Sequence, residues 1–129
     1  MADAFGPGSG PGPAYPVGLR ADGTLVLAPV GNFPGPYNGN KVLWVVDSRR
    51  YPGPVLIRGL RLDAPGDVRF DDGADPPDAM HLPPPVAPTD WRDWPSYTRV
   101  RGPGCYAYQV DGADFSYRVV FRAIDEGSS

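Results

Sequence analysis

The stretch Gly104-Cys105-Tyr106-Ala107-Tyr108-Gln109-Val110-Asp111-Gly112-Ala113-Asp114-Phe115-Ser116-Tyr117-Arg118-Val119-Val120-Phe121-Arg122-Ala123-Ile124 decides the fold class. In its second half Phe115, Tyr117, Val119 and Phe121 alternate with Ser116, Arg118, Val120 and Arg122. That is the period of a strand with one face on a core and the other mostly on water. Asp111-Gly112-Ala113-Asp114 supplies turn residues between two such runs, which predicts a hairpin joining Gly104–Val110 to Phe115–Ile124. Working outward, Tyr97 to Arg101 predicts a third strand. Lys41-Val42-Leu43-Trp44-Val45-Val46 is rich in β-branched and aromatic residues and apolar on both faces after Lys41, so it belongs at the centre of a sheet. Thr24 to Leu27 follows the turn pair Asp22-Gly23, and Val55 to Leu62 follows Pro52-Gly53-Pro54. In the latter Leu56, Leu60 and Leu62 share one face, Ile57 and Arg61 the other, and Gly59 predicts a bulge or a close backbone approach. Val68-Arg69-Phe70 is a short strand after Pro65-Gly66; Asp71 to Pro88 is loop, with a short edge strand over Ala79 to Leu82.

Composition agrees with a turn-rich β protein. The 129 residues carry 17 glycines and 18 prolines, more than a quarter of the chain, which leaves no room for long helices. Among the acids only Glu126 is not Asp, and among the bases only Lys41 is not Arg. Asp serves turns and caps, whereas Glu and Lys populate exposed helix faces. The chain is long enough for one domain with an apolar core. A net charge of −3 argues against a nucleic-acid partner, and no apolar run is long enough for a transmembrane segment. Cys105 is the single cysteine, so no intramolecular disulfide forms, and burial statistics predict an inert core thiol.

Seven to eight short strands with no helical stripe predict an all-β, two-sheet antiparallel sandwich over residues 15–124, with a small barrel as the alternative. A Gly/Pro-rich flexible tether over residues 1–14 precedes it and a disordered tail over residues 125–129 follows. Gly104-Cys105-Tyr106-Ala107-Tyr108 matches the Gly-x-Tyr-x-Cys of immunoglobulin-like domains, with Tyr108 standing where the cysteine would be and Gly102 where the usual Asp would be. In that motif the tyrosine hydroxyl bonds back to upstream backbone, and Tyr106 is the candidate for it. Trp44, Cys105, Tyr106, Tyr108 and Phe121 are accordingly assigned structural roles.

Four segments carry a wider resemblance: Gly12-Pro13-Ala14-Tyr15-Pro16-Val17, Lys41-Val42-Leu43-Trp44-Val45-Val46-Asp47, Tyr51-Pro52-Gly53-Pro54-Val55-Leu56-Ile57-Arg58-Gly59 and Gly104-Cys105-Tyr106-Ala107-Tyr108-Gln109-Val110-Asp111-Gly112. Together they resemble uncharacterised immunoglobulin-like β-sandwich domains of exported envelope proteins and lipoproteins in high-GC bacteria. The resemblance implies a secreted or envelope-bound module, extracellular and membrane-tethered, with no catalytic residues to carry over. Met1 to Phe5 has neither a positive n-region nor an apolar h-region, so a leader is not read in this chain and export rests on the resemblance.

Few residues are placed to carry chemistry. Asp71-Asp72-Gly73-Ala74-Asp75-Pro76-Pro77-Asp78 with His81 is the one cluster of metal-ligand types, but an EF-hand counted from Asp71 would need Gly and Glu where Pro76 and Leu82 stand. The expectation is therefore a solvated loop and no metal or cofactor. His81 is the sole imidazole and no Gly-x-Ser-x-Gly occurs, so an enzyme is not expected. Trp91-Arg92-Asp93-Trp94-Pro95-Ser96-Tyr97 places three aromatics in a loop, where flat rings can stack on sugars while Arg92 and Asp93 hydrogen-bond. Against that stands the ordinary use of Trp94 and Tyr97 as plugs at one end of the sandwich. Pro83-Pro84-Pro85-Val86-Ala87-Pro88 is a polyproline II candidate whose ordinary use is a rigid spacer.

The expected function is a non-catalytic, envelope-associated interaction or structural module whose partner is a protein or a glycan. A carbohydrate-binding module built on Trp91, Arg92, Asp93, Trp94 and Tyr97 is the first alternative. A strand-exchanged homopolymer is the second, since open edge strands permit strand addition between copies.

Overall fold

A computed structural model describes residues 10–29 and 31–125. The expected tether over residues 1–9 and tail over 126–129 lie outside the described residues. The described chain forms nine strands in two sheets: β1 Ala14–Val17, β2 Thr24–Leu27, β3 Asn38–Asp47, β4 Val55–Arg61, β5 Arg69–Phe70, β6 Ala79–Leu82, β7 Trp91–Val100, β8 Gly104–Asp111 and β9 Ser116–Asp125. One sheet has the order β1-β3-β7-β5 and the other β2-β9-β8-β4-β6. The all-β, two-sheet expectation therefore holds, with nine strands in place of seven to eight.

The hairpin β8–β9 pairs Tyr106 with Phe121 and Tyr108 with Val119. Alternation turns Val119, Phe121 and Ala123 inward and leaves Arg118, Val120 and Arg122 outward. The Phe121 ring stacks on Tyr108 at 4.4 Å and on Tyr106 at 5.5 Å, and Trp44 meets Tyr108 from the opposite sheet. Trp44, Tyr106, Tyr108 and Phe121 are thus all core residues. The Tyr106 hydroxyl donates to the Gly102 carbonyl at 2.6 Å, closing the turn before β8. β3 lies inside its sheet between β1 and β7, as its two-faced apolar sequence requires. On β4 the inward residues are Val55 and Ile57, and a Cβ at Gly59 would lie 2.6 Å from the Val68 Cβ, so glycine is what lets Val68 pack there.

Four expectations need correction. β2 runs parallel to β9, so the second sheet is not wholly antiparallel. β1 begins at Ala14, which is fully buried, and the Asp47 amide donates to the Pro13 carbonyl, so packing starts before Tyr15. At the other end β9 includes Asp125. Finally, Trp91 to Tyr97 is strand, not loop: all ten residues of β7 pair with β3, from Trp91 opposite Asp47 to Val100 opposite Asn38.

The two lateral sides of the sandwich differ. On one, the Asn38 and Asn40 side chains of β3 donate to the Ala28 and Val26 carbonyls at 2.9 Å, so β2 ties the sheets together. On the other, β5 pairs only with Thr98 and Arg99. The half of β7 from Trp91 to Ser96 has no strand beyond it, and the sandwich opens there between β6 and β7.

Candidate functional site

The open side is built on the alternation of β7. Successive strand residues point to opposite faces. Arg92, Trp94 and Ser96 share the face that buries Thr98 and Val100, whereas Trp91, Asp93, Pro95 and Tyr97 share the outer face. The two tryptophans are three residues apart, so they fall on opposite faces and the expected Trp91–Tyr97 patch is not one platform. On the outer face the Trp91 ring lies 6.5 Å from Tyr15 and 5.5 Å from the Arg49 guanidinium, and Tyr97 takes Phe33 edge-on at 5.6 Å.

Arg92 is a structural residue. Its guanidinium donates to the Ser48 hydroxyl, the Pro83 carbonyl and the Tyr51 carbonyl at 2.7–2.9 Å, pinning the start of the proline segment to β7. Burial pushes its pKa down. Trp94 is different: it is 38% exposed on the face that would be core if a sheet covered it. Its indole N–H donates no hydrogen bond among the described residues.

Two grooves meet at Trp94. The first, ≈ 380 Å³, lies between Trp94 and the segment Leu82 to Thr89, with Asp93 at its rim and the fully exposed Val86 in its wall. The second, ≈ 430 Å³, runs past Trp94, Pro95 and Tyr97 to His81, Asp71 and Asp72. Both lie within the range of small-ligand sites. Asp71, Asp72 and Asp93 form no ion pair among the described residues, but cations lie near them: the buried Arg99 guanidinium is attracted by Asp71 and Asp72, and Arg92 lines the first groove beside Asp93.

The base of the acidic loop is held by a residue that sequence reasoning passed over. Arg99 is fully buried, and its guanidinium donates to the carbonyls of Tyr37, Asp71, Gly73 and Pro34 at 2.8–3.0 Å while lying 4.6 Å from the Phe33 ring. Burial lowers its pKa. Four carbonyls and an aromatic face solvate the cation in place of water. In sequence it was one more charged residue in a strand; the available signal was that Thr98 and Val100 beside it are in-facing on a strand whose outer face must then be covered by the Gly/Pro-rich loops.

Cys105 is half-buried, not the fully buried thiol expected, because it sits on the outer face of β8 opposite Arg122. No group of three or more His, Cys, Asp or Glu side chains is placed to hold a metal ion among the described residues. No helix among them is long and apolar enough to cross a membrane. No family model, known protein or solved structure matches the chain.

Proposed function

We propose that the chain is a non-catalytic recognition module with an immunoglobulin-like strand arrangement, working at the cell envelope, whose ligand-binding surface is the open side at Trp94. The strand arrangement is supported by β1, β3 and β7 lying in one sheet and β9, β8, β4 and β6 in the other, and by the Tyr106 back-bond to Gly102. β5 departs from it, preceding β6 in the chain yet joining the first sheet. The envelope placement rests on the resemblance of the four segments named above.

The observation that carries the binding reading is the exposure of Trp94 at the junction of two grooves. Trp94 is not an isolated exposed ring: it shares its groove with Val86 and the neighbouring prolines, and a continuous apolar surface of this kind marks an interaction site. Acrylamide quenching of wild type against Trp94→Phe, followed by screening on glycan and peptide arrays, tests it. The expected result is that Trp94 is quenched freely and that array ligands are lost in Trp94→Ala. A shielded Trp94, or arrays on which nothing depends on it, would overturn the reading.

A further inference from the structure

We infer that the ligand of the open side is a proline-rich peptide segment bearing arginine or lysine, held in a polyproline II conformation across Trp94. This deepens the recognition reading above and rests on it.

Three features of the surface argue for that chemistry. The first is the shape and lining. Trp94, Pro95 and Tyr97 border one groove and Trp94 with the Pro83–Pro88 segment borders the other, so a rigid extended ligand lying across Trp94 meets apolar walls on both sides. A polyproline II helix suits such a surface because it is already extended when free and loses little entropy on docking. Its carbonyls point outward without internal partners, and the Trp94 indole N–H is the donor available to them.

The second feature is what the β7 edge lacks. The Asp71 amide donates to the Tyr97 carbonyl, so Tyr97 turns its backbone groups toward β5 and, by alternation, Pro95, Asp93 and Trp91 turn theirs to the uncovered edge. Pro95 has no N–H, and the Trp91 carbonyl already accepts from the Thr89 hydroxyl at 3.0 Å. A pairing strand would find one residue, Asp93, with both groups free. The edge is thus poorly equipped for strand addition, by a peptide or by a second copy, and better suited to a ligand that asks for few backbone bonds.

The third is charge. Asp71 and Asp72 lie exposed at one end of the surface, over the buried Arg99 cation, while at the other groove Asp93 stands beside Arg92; none of the three carboxylates is in an ion pair among the described residues. A cationic side chain of the ligand gains at the end where Asp71 and Asp72 are exposed, and the gain falls with salt.

The experiment titrates full-length protein with fluorescein-labelled peptides of repeating Pro-Pro-Arg, Pro-Pro-Glu and Gly-Ser-Arg, read by anisotropy, with chitohexaose and cellohexaose titrated by calorimetry. Pro-Pro-Arg is expected to bind saturably, and the other two peptides at least about tenfold more weakly. Trp94→Ala is expected to lose about thirtyfold, the size of an aromatic hot spot, and Trp94→Phe, which keeps a ring but no N–H, less. The paired change Asp71→Asn with Asp72→Asn, which leaves the fold's apolar contacts alone, is expected to weaken Pro-Pro-Arg and to flatten its salt dependence. Equal binding of Gly-Ser-Arg would reduce the interaction to charge, equal binding of Pro-Pro-Glu would remove the acidic contribution, and absence of saturable peptide binding would end the proposal. If a hexaose binds in a Trp94-dependent way while no peptide does, the peptide inference fails and the recognition module stands; if the arrays also return nothing that depends on Trp94, both fail.

Discussion

Trp44 and Tyr108 meet edge to face across the space between the two sheets, with ring centroids 5.0 Å apart and planes at 86°. Trp44 belongs to β3 and Tyr108 to β8, so this contact joins the central strands of opposite sheets. The Tyr108 hydroxyl shares a 2.7 Å hydrogen bond with Thr98 of β7, and both residues are fully buried. One side chain therefore gives the core an aromatic contact and a polar link between the layers.

That arrangement sets the first prediction. Tyr108→Phe keeps the ring stack but leaves the Thr98 hydroxyl without its partner, and costs about 1–3 kcal/mol. Adding Thr98→Val removes the stranded group, so the double variant is expected to lose less than the two single changes summed. Trp44→Ala, which opens a cavity, costs about 3–5 kcal/mol. Urea denaturation curves check all four proteins, and strict additivity of Tyr108→Phe and Thr98→Val would contradict the bond.

Alkaline pH is expected to unfold the protein ahead of what its surface charge alone would bring. Burial pushes Tyr117 up to about 12, even though the Ala14 amide donates to its hydroxyl oxygen at 3.1 Å, and burial also raises Tyr108. An unfolded tyrosine titrates near 10. Because the folded values are the higher ones, the stabilisation is complete below pH 10 and is lost as the pH rises from 10 to 12, where the unfolded chain releases protons that the folded chain keeps. Tyrosinate absorbance followed together with circular dichroism should show late-titrating tyrosines ionising only as the structure melts. Tyr117→Phe should make that slope shallower; an unchanged slope would place the alkaline transition elsewhere.

Arg99→Lys is expected to behave as a disruptive change. A lysine ammonium offers three donors on a flexible stem and cannot reach four carbonyls arranged around a planar fork. Arg99→Met leaves those carbonyls unpaired and costs about 3 kcal/mol or more. In both variants limited proteolysis should cut faster within residues 33–37 and 71–77, which the guanidinium ties to β7. Full retention of protease resistance in Arg99→Lys would show that the charge, not the fork, holds these loops.

The partial exposure of Cys105 predicts reaction of the native protein with a soluble aromatic disulfide at a rate independent of denaturant at low concentrations. Protection that is released only through the unfolding transition would return Cys105 to the core.

What was legible in the sequence follows from how local each feature is. The β8–β9 hairpin could be read because its turn residues and both in-facing sets lie within one short stretch, and the place of β3 because an apolar run on both faces fits only the interior of a sheet. The first half of β7, before Tyr97, could not, because Pro95 removes a ladder donor and argues against a strand unless the missing N–H faces an open edge. Whether that edge is open depends on β5 stopping at Phe70, a matter of another part of the chain. For the same reason the seven residues from Trp91 to Tyr97 looked like one aromatic loop. Once the segment is a strand, backbone alternation separates Trp91 from Trp94.

By itself the sequence determined the all-β class, the two faces of β9, and the central aromatic residues Trp44, Tyr106, Tyr108 and Phe121 of the core, because period-two burial is a property of the backbone and is written residue by residue. Only the tertiary structure decided the parallel pairing of β2 with β9, the carbonyl cage around Arg99, and the open side that leaves Trp94 in water. Those depend on which strands from distant parts of the chain reach far enough to cover one another, and no local pattern encodes where a distant strand ends.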